Sequence, residues 1–279
     1  MNTRTPFRWV IALSPEARII RETYEMTSFA PEGPYPVFKD ASGLHWLTLS
    51  GVGRVHAAAA TMYLHQLSKA PPWSAWINVG IAGNRDSALG TLHLIDKITE
   101  RSTGHRSYPA PTVTSNLVRS SLVTVDKPET SYHVDELFDM EGSGFFDIAC
   151  RLSCQQLVLV LKIVSDGPGN HVKNLTSRKI TNLVSRNIHE ISKLVKKMEF
   201  AIRREHDRLG LPDGYNSIIN NWHFSQTQKH QLKHLVKGWQ LFSPKEKIMS
   251  YLNTSMDAKS VIKNLSIKLD NQLLDWEEL

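Results

Sequence analysis

Apolar positions in this chain follow two regimes. From residue 7 to 164 they come in short runs, at 7–13, 45–50, 76–79, 89–96, 117–125 and 157–164, separated by glycine, proline and polar residues. Runs of that length rich in β-branched and aromatic residues predict strands. Helical segments lie between them. One opens at Ser14-Pro15-Glu16-Ala17, with Ser14 as N-cap and Pro15 as the first helical residue. A second runs from Gly51-Val52-Gly53-Arg54-Val55-His56 into alanines 57–60, whose small side chains let a helix pack closely on a sheet. A third follows Glu141-Gly142-Ser143-Gly144. Residues 29–43, punctuated by Pro31, Gly33, Pro34, Pro36 and Gly43, read as loop, as do 101–114.

The period changes at 177. Ile180, Leu183, Val184, Ile188, Ile191, Leu194 and Val195 recur at helical spacing and predict one long amphipathic helix over 177–208. Strands alternating with helices predict an α/β domain over residues 1–208. Gly210, Pro212, Asp213 and Gly214 end the long helix, and 209–279 read as an all-helical extension. Within it, Ser225–Gln228 and Ser243–Glu246 have capping-box spacing, and 260–274 reads as a further helix.

Composition adds bounds rather than a function. The 279 residues are 41% hydrophobic and 22% charged, as in an ordinary globular protein, and are enough to build a core without a metal or disulfide staple. Cys150 and Cys154 fall four apart on a predicted helix, a spacing that bridges only with distortion. Free thiols in a reducing compartment are expected. No apolar run reaches bilayer-spanning length, and 9–13 is too short for a signal-peptide core, so no membrane is expected and cytoplasm is the default. The net charge of +6 permits polyanion binding without requiring it.

Lys229, His230, Lys233, His234 and Lys237 share a helix face, read either as a nucleic-acid surface or as a solvated face over Leu232, Leu235 and Val236; the second is preferred. His230 and His234 lack a third ligand at metal spacing. Trp222, Trp239 and Trp276 read as packing anchors of the helical extension.

The chemistry gathers around 138–166. Glu141 sits at the mouth of a helix after Phe138-Asp139-Met140, and Ser165-Asp166 end the longest apolar strand. That layout suits two carboxylates directed into one pocket. Glu16 stands where the first strand ends and a helix begins, which is where ligands bind in open α/β sheets. Its alternative role is to complement the helix dipole. Gly80-Ile81-Ala82-Gly83 at a strand end would admit a ligand close to the backbone. The turn at Gly51 and Gly53 would cradle phosphate with Arg54 as anion contact, but it lacks a third glycine or a following lysine.

Five stretches in order resemble the purine nucleoside phosphorylase and methylthioadenosine/S-adenosylhomocysteine nucleosidase superfamily. They are residues 12–18 (Ala-Leu-Ser-Pro-Glu-Ala-Arg), 51–58 (Gly-Val-Gly-Arg-Val-His-Ala-Ala), 78–83 (Asn-Val-Gly-Ile-Ala-Gly), 139–142 (Asp-Met-Glu-Gly) and 163–166 (Ile-Val-Ser-Asp). The first and third look most like the subgroup of hopanoid-pathway adenosyl nucleosidases. The resemblance implies a three-layer α/β sandwich around a mixed, twisted sheet, usually dimeric, acting on a small-molecule nucleoside with no cofactor and no metal. It implies that Glu141, beside Met140, binds the ribose hydroxyls, that Asp166, beside Ser165, protonates the purine, and that Glu16 activates water. It also places Gly80, Ile81, Ala82, Gly83 and Tyr132 around the substrate.

The family's phosphorylases carry Gly-Asp-Pro-x-Arg after the first strand. Here Ser14-Pro15-Glu16 stands instead, which favours water over phosphate as nucleophile. A phosphorylase using Gly53 and Arg54 is the alternative, as is a non-catalytic nucleoside- or nucleic-acid-binding module. The segment from Ile95 to Glu141 looks shorter than in the well-known nucleosidases. Tyr132, Tyr108 and Phe138 are the candidates for the base-stacking aromatic.

Overall fold

The structure is a computed structural model that describes residues 5–29, 32–111, 113, 115–169, 174–243 and 247–274. The chain divides into two compact units, Met1–His206 and Asp207–Leu279.

In the first unit the strands are β1 (Phe7–Ile11), β2 (Thr27–Phe29), β3 (Val37–Lys39), β4 (His45–Leu49), β5 (Ala75–Gly83), β6 (Leu92–Glu100), β7 (Arg106–Ser107), β8 (Val118–Thr124), β9 (Leu137–Asp139) and β10 (Val158–Asp166). Its helices are α1 (Ser14–Thr23), α2 (Arg54–Ser68), α3 (Gly142–Leu152) and α4 (Ser177–Leu209), the last running past the unit boundary.

The strands form one mixed sheet, ordered β10-β6-β8-β9-β5-β1-β4-β3-β2, in which β10 also pairs with β5. That extra pairing closes β5, β10, β6, β8 and β9 into a ring from which the remaining strands extend. β1, β4, β5 and β10 are joined by parallel ladders, so their C-terminal ends share one edge.

Central strands are largely apolar because both faces are covered. Along β10, Leu159, Leu161 and Ile163 join a core with α1 and α4, while Val158, Val160 and Val164 join a core with α2 and α3. β1 and β5 alternate in the same way: Trp9 and Ile77 pack on the first side, Val10 and Trp76 on the second. The result is the three-layer arrangement of helices on both faces of a mixed sheet.

Local boundaries differ from the sequence expectation in four places, one of them β7, which pairs with β6 inside the expected loop 101–114. The stretch 29–43 is not all loop: Thr27, Ser28 and Phe29 pair antiparallel with Lys39, Phe38 and Val37 at the sheet edge. Three-residue strands are too short to show a period, and Pro34 and Pro36 stand outside the ladder. The N-cap of α1 is Leu13, not Ser14. No side chain caps from Leu13; instead its N–H donates to Glu16 Oε2 at 2.8 Å. Finally, α3 ends at Leu152, so Cys154 lies off the helix, and neither cysteine is in a disulfide.

The second unit is helical among its described residues: α5 (Tyr215–Asn221), α6 (Gln226–Phe242), α7 (Ile248–Tyr251) and α8 (Ala258–Leu274). Its core gathers Ile218, Leu232, Val236, Trp239, Leu252, Val261 and Leu265. Ser225 caps α6 with a reciprocal pair: Gln228 N–H donates to Ser225 Oγ at 3.3 Å, and Ser225 N–H to Gln228 Oε1 at 2.9 Å. The box expected at Ser243–Glu246 falls on 244–246, outside the described residues, as does Trp276. Trp239 is buried, and Trp222 Nε1 donates to the Ser255 carbonyl.

Lys233 and Lys237 turn their ammonium groups to the carbonyls of Leu209 and Arg208, satisfying acceptors at a helix end. Among the described residues no three His, Cys, Asp or Glu side chains are grouped to hold a metal ion. No described helix is long and apolar enough to cross a membrane.

Candidate active site

The shared strand edge brings three distant segments together. β1 ends one residue short of the turn into α1, which carries Glu16. β5 ends in Gly80–Gly83, and β10 ends in Ser165 and Asp166. β9 joins them through the pairing of Phe138 with Gly83, which carries Asp139 and Glu141 to the same place.

Glu16 is buried, and both of its oxygens are occupied by backbone donors: Leu13 N–H to Oε2 at 2.8 Å and Ile81 N–H to Oε1 at 2.9 Å. Burial raises its pKa; the Ile81 N–H and Lys162 work against that. Gly80 allows the arrangement. A Cβ there would stand 3.1 Å from Glu16 Oε1 and 3.3 Å from Lys162 Nζ, so the missing side chain leaves room for carboxylate and ammonium to approach each other.

Lys162 and Asp139 were absent from the sequence-predicted set, yet they organise its centre. Lys162 Nζ lies 2.7 Å from Asp139 Oδ2, with side-chain exposures of 1% and 0%. Thr124 Oγ1 donates to Asp139 Oδ1 at 2.8 Å, and Gly142 N–H donates to Oδ2 at 2.7 Å, so the buried carboxylate is fully served. Burial pulls the Lys162 pKa down, but Asp139 and Glu141 outweigh it, and the net shift is upward; the ammonium stays charged. A signal was present in the sequence. A lone lysine inside the run 157–164 needs a buried counter-ion, because an unpaired charge could not be held there.

Glu141 is the N-cap of α3, and its Oε1 accepts the Gly53 N–H at 2.8 Å. Burial, then repulsion from Asp139, push its pKa up to about 7, against the pull of Lys162 and the Gly53 N–H.

Asp166 lies at an irregularity. The β10–β5 register shifts between Val164 and Asp166, leaving Ser165 as the extra residue of a bulge. In a regular strand neighbours face opposite ways; here Ser165 and Asp166 both line one cavity. Ser165 Oγ donates to Asp166 Oδ1, and the Tyr132 hydroxyl donates to Oδ2.

That cavity, about 220 Å³, is bounded by Glu16, Glu141 and Asp166 together with Tyr132, Phe138, Met140 and Ile81. None of its described lining residues is a lysine or arginine. A larger open groove of about 1250 Å³ runs along α1 and α4 but holds none of these acids.

No protein-family model and no curated protein matches the chain. Solved structures do. The 5′-methylthioadenosine nucleosidase of Arabidopsis thaliana in apo form aligns with a TM-score of 0.57 at 18% identity, covering 69% of this chain and 95% of that one. The 5′-methylthioadenosine/S-adenosylhomocysteine nucleosidase of S. pneumoniae, solved with the transition-state inhibitor MT-ImmA, aligns at 0.55 and 16%, covering 70% and 100%. A methylthioadenosine nucleosidase assigned in Weissella paramesenteroides aligns at 0.52 and 18%, covering 71% and 99%. This chain has the methylthioadenosine nucleosidase fold.

Within the nucleosidase fold, Ile81, Ala82, Gly83, Tyr132, Met140 and Ser165 line the cavity with the three acids, as do Val125, Pro128 and Glu129 from the segment between Ile95 and Glu141. Gly80 acts from behind, beside Lys162. Two of the phosphate candidates are otherwise engaged: Gly53 N–H serves Glu141, and Arg54 pairs with Glu100 and, at 3.2 Å, with Asp126. Tyr108 is exposed and does not line the cavity.

Proposed function

We propose that this protein hydrolyses the N-ribosidic bond of an adenosine-like purine nucleoside. The observation that carries this reading is the convergence of Glu16, Glu141 and Asp166 on one cavity of a nucleosidase fold.

Breaking the bond builds positive charge on the ribose and negative charge on the base. Glu141 accepts hydrogen bonds from the sugar hydroxyls and, as an anion, stabilises the developing cation. Asp166 is the source of the proton for the base. Glu16, fixed by two backbone donors, orients water on the sugar and takes its proton. Lys162 holds a fixed positive charge beneath Glu16, Asp139 and Glu141, which limits their mutual repulsion.

Water is favoured over phosphate by charge. A phosphate anion would enter a cavity whose ionisable lining consists of carboxyl groups and one phenol. Arg54 is committed to Glu100 and Asp126, Arg18 to Glu22, and Arg85 to Asp86.

The test is a panel of purine nucleosides incubated with the purified protein, with and without phosphate, followed by chromatography of free base and sugar. Release of base and free ribose independent of phosphate is expected, with losses of about 10²-fold or more in Glu141→Gln and Asp166→Asn. Ribose 1-phosphate as product would establish phosphorolysis instead. No base released from any nucleoside would refute catalysis.

A further inference from the structure

We infer that Tyr132 is a catalytic proton relay: its hydroxyl hands a proton to the departing base, and Asp166 replaces that proton. The inference rests on the nucleosidase reading and goes beyond it by placing a second residue between the acid and the leaving group.

The geometry around Asp166 leads here. Both of its carboxyl oxygens are already hydrogen-bonded, Oδ1 by Ser165 and Oδ2 by Tyr132. Ser165 Oγ is also near the Ala82 carbonyl at 3.4 Å, so the Oδ1 side is tied back to the sheet. Tyr132 lines the cavity together with Asp166. A base nitrogen approaching that side meets the phenol as well as the acid.

The phenol is placed by construction. Tyr132 has φ of 44°, in the left-handed region that residues with side chains rarely adopt. The preceding loop is clamped by Glu129, which accepts N–H bonds from Thr130 at 2.9 Å and Ser131 at 2.8 Å and pairs with Arg101 at 2.6 Å. Arg101 in turn lies over the Phe138 ring, and Phe138 meets the Tyr132 ring edge-on at 6.0 Å. On the other side, a Cβ on Gly83 would stand 2.8 Å from the Tyr132 hydroxyl and 2.9 Å from Asp166 Oδ2. The strand therefore omits a side chain where phenol and carboxyl meet. Burial, then Asp166, raise the Tyr132 pKa, so the phenol keeps its proton across neutral pH.

The step balances. As the C–N bond breaks, its electron pair goes to the base. With the Tyr132 hydroxyl turned from Asp166 Oδ2 to the base, its proton moves to a base nitrogen, and a proton carried by Asp166 Oδ2 moves to the Tyr132 oxygen, leaving Asp166 as carboxylate. Water bonds to the anomeric carbon and loses a proton to Glu16. Proton exchange with solvent then resets Glu16 and Asp166.

The experiment compares two substrates in the wild type and Tyr132→Phe. Adenosine needs a proton on its leaving group, whereas 4-nitrophenyl β-D-riboside releases a stable phenolate and needs none. Y132F should lose about 10²-fold or more in kcat on adenosine and far less on the riboside. Equal losses on both substrates would mean that Tyr132 only shapes the pocket, and an undiminished rate on adenosine would also overturn the relay. Wild-type protein that cleaves neither substrate would remove the nucleosidase reading and the relay with it. An isosteric variant covers the case in which Y132F does not fold. Difluorotyrosine at position 132 should shift the alkaline limb of kcat on adenosine to lower pH; an unmoved limb counts against the relay.

Discussion

The two ends of the cavity are polar in different ways. At one end, Glu16, Asp139 and Glu141 crowd a single buried ammonium, and burial and like charge raise the pKa of both glutamates. At the other end, Asp166 is served by two neutral hydroxyls and forms no salt bridge among the described residues. Cleavage of an N-ribosidic bond asks for an anion near the sugar and a proton near the base. The fixed Lys162 cation favours the ionised form of the carboxyls around it against burial, while two hydroxyl donors mark the Asp166 end.

That contrast can be broken in order of expected effect. Lys162→Met removes the charge that balances Asp139 at full burial and should destabilise the fold by about 3–5 kcal/mol in urea titrations. Adding Asp139→Asn should recover part of the loss; if the double variant is as unstable as the single one, the pair is not the source. At the hydroxyl end Ser165→Ala should cost only about 1 kcal/mol, because it removes a neutral hydroxyl while Tyr132 still donates to Asp166.

Glu141→Gln falls between them and should stabilise. The folded carboxyl has its pKa raised from 4.5 to about 7. Between those values the folded state holds a proton that the unfolded state has lost. The associated stability is therefore fully present below pH 4.5 and is lost as pH rises through 7. Glutamine never ionises, so E141Q should match the wild type near pH 4.5 and exceed it above pH 7, by on the order of 3 kcal/mol. Thermal melts across that range check the sign. The same titration should appear in catalysis: kcat/KM for adenosine should fall below pH about 7 as the sugar clamp is neutralised. A profile flat from pH 5 to 8 would detach Glu141 from the rate.

Much of the fold was legible because the central strands are covered on both sides, so that their apolar runs stand out without any alternation. β2 and β3 were not legible, since three residues cannot display a period. At the site, Glu16, Glu141 and Asp166 could be picked out by their positions at strand and helix ends, which depend on local sequence. Asp139 could not, because its importance comes from Lys162, twenty-three residues away in the chain and adjacent only after β9 and β10 join the same sheet. Tyr132 was nameable only as a candidate stacking ring. Its contact with Asp166 depends on a left-handed backbone angle that nothing in Ser131-Tyr132-His133 announces.

The bulge at Ser165 lets β10 bring two neighbouring side chains to one cavity without shifting its ladder. Val164 pairs with Ala82 and Asp166 with Gly83, so Ser165 is accommodated between two positions that are adjacent on β5. Deleting Ser165 would leave Asp166 opposite Gly83 and remove the hydroxyl on its Oδ1, whereas a deletion between Val158 and Val164 would slip the acid off that partner and turn it to the other face. In a collection of variant chains, gaps within 158–164 should therefore mark loss of activity more sharply than a gap at Ser165.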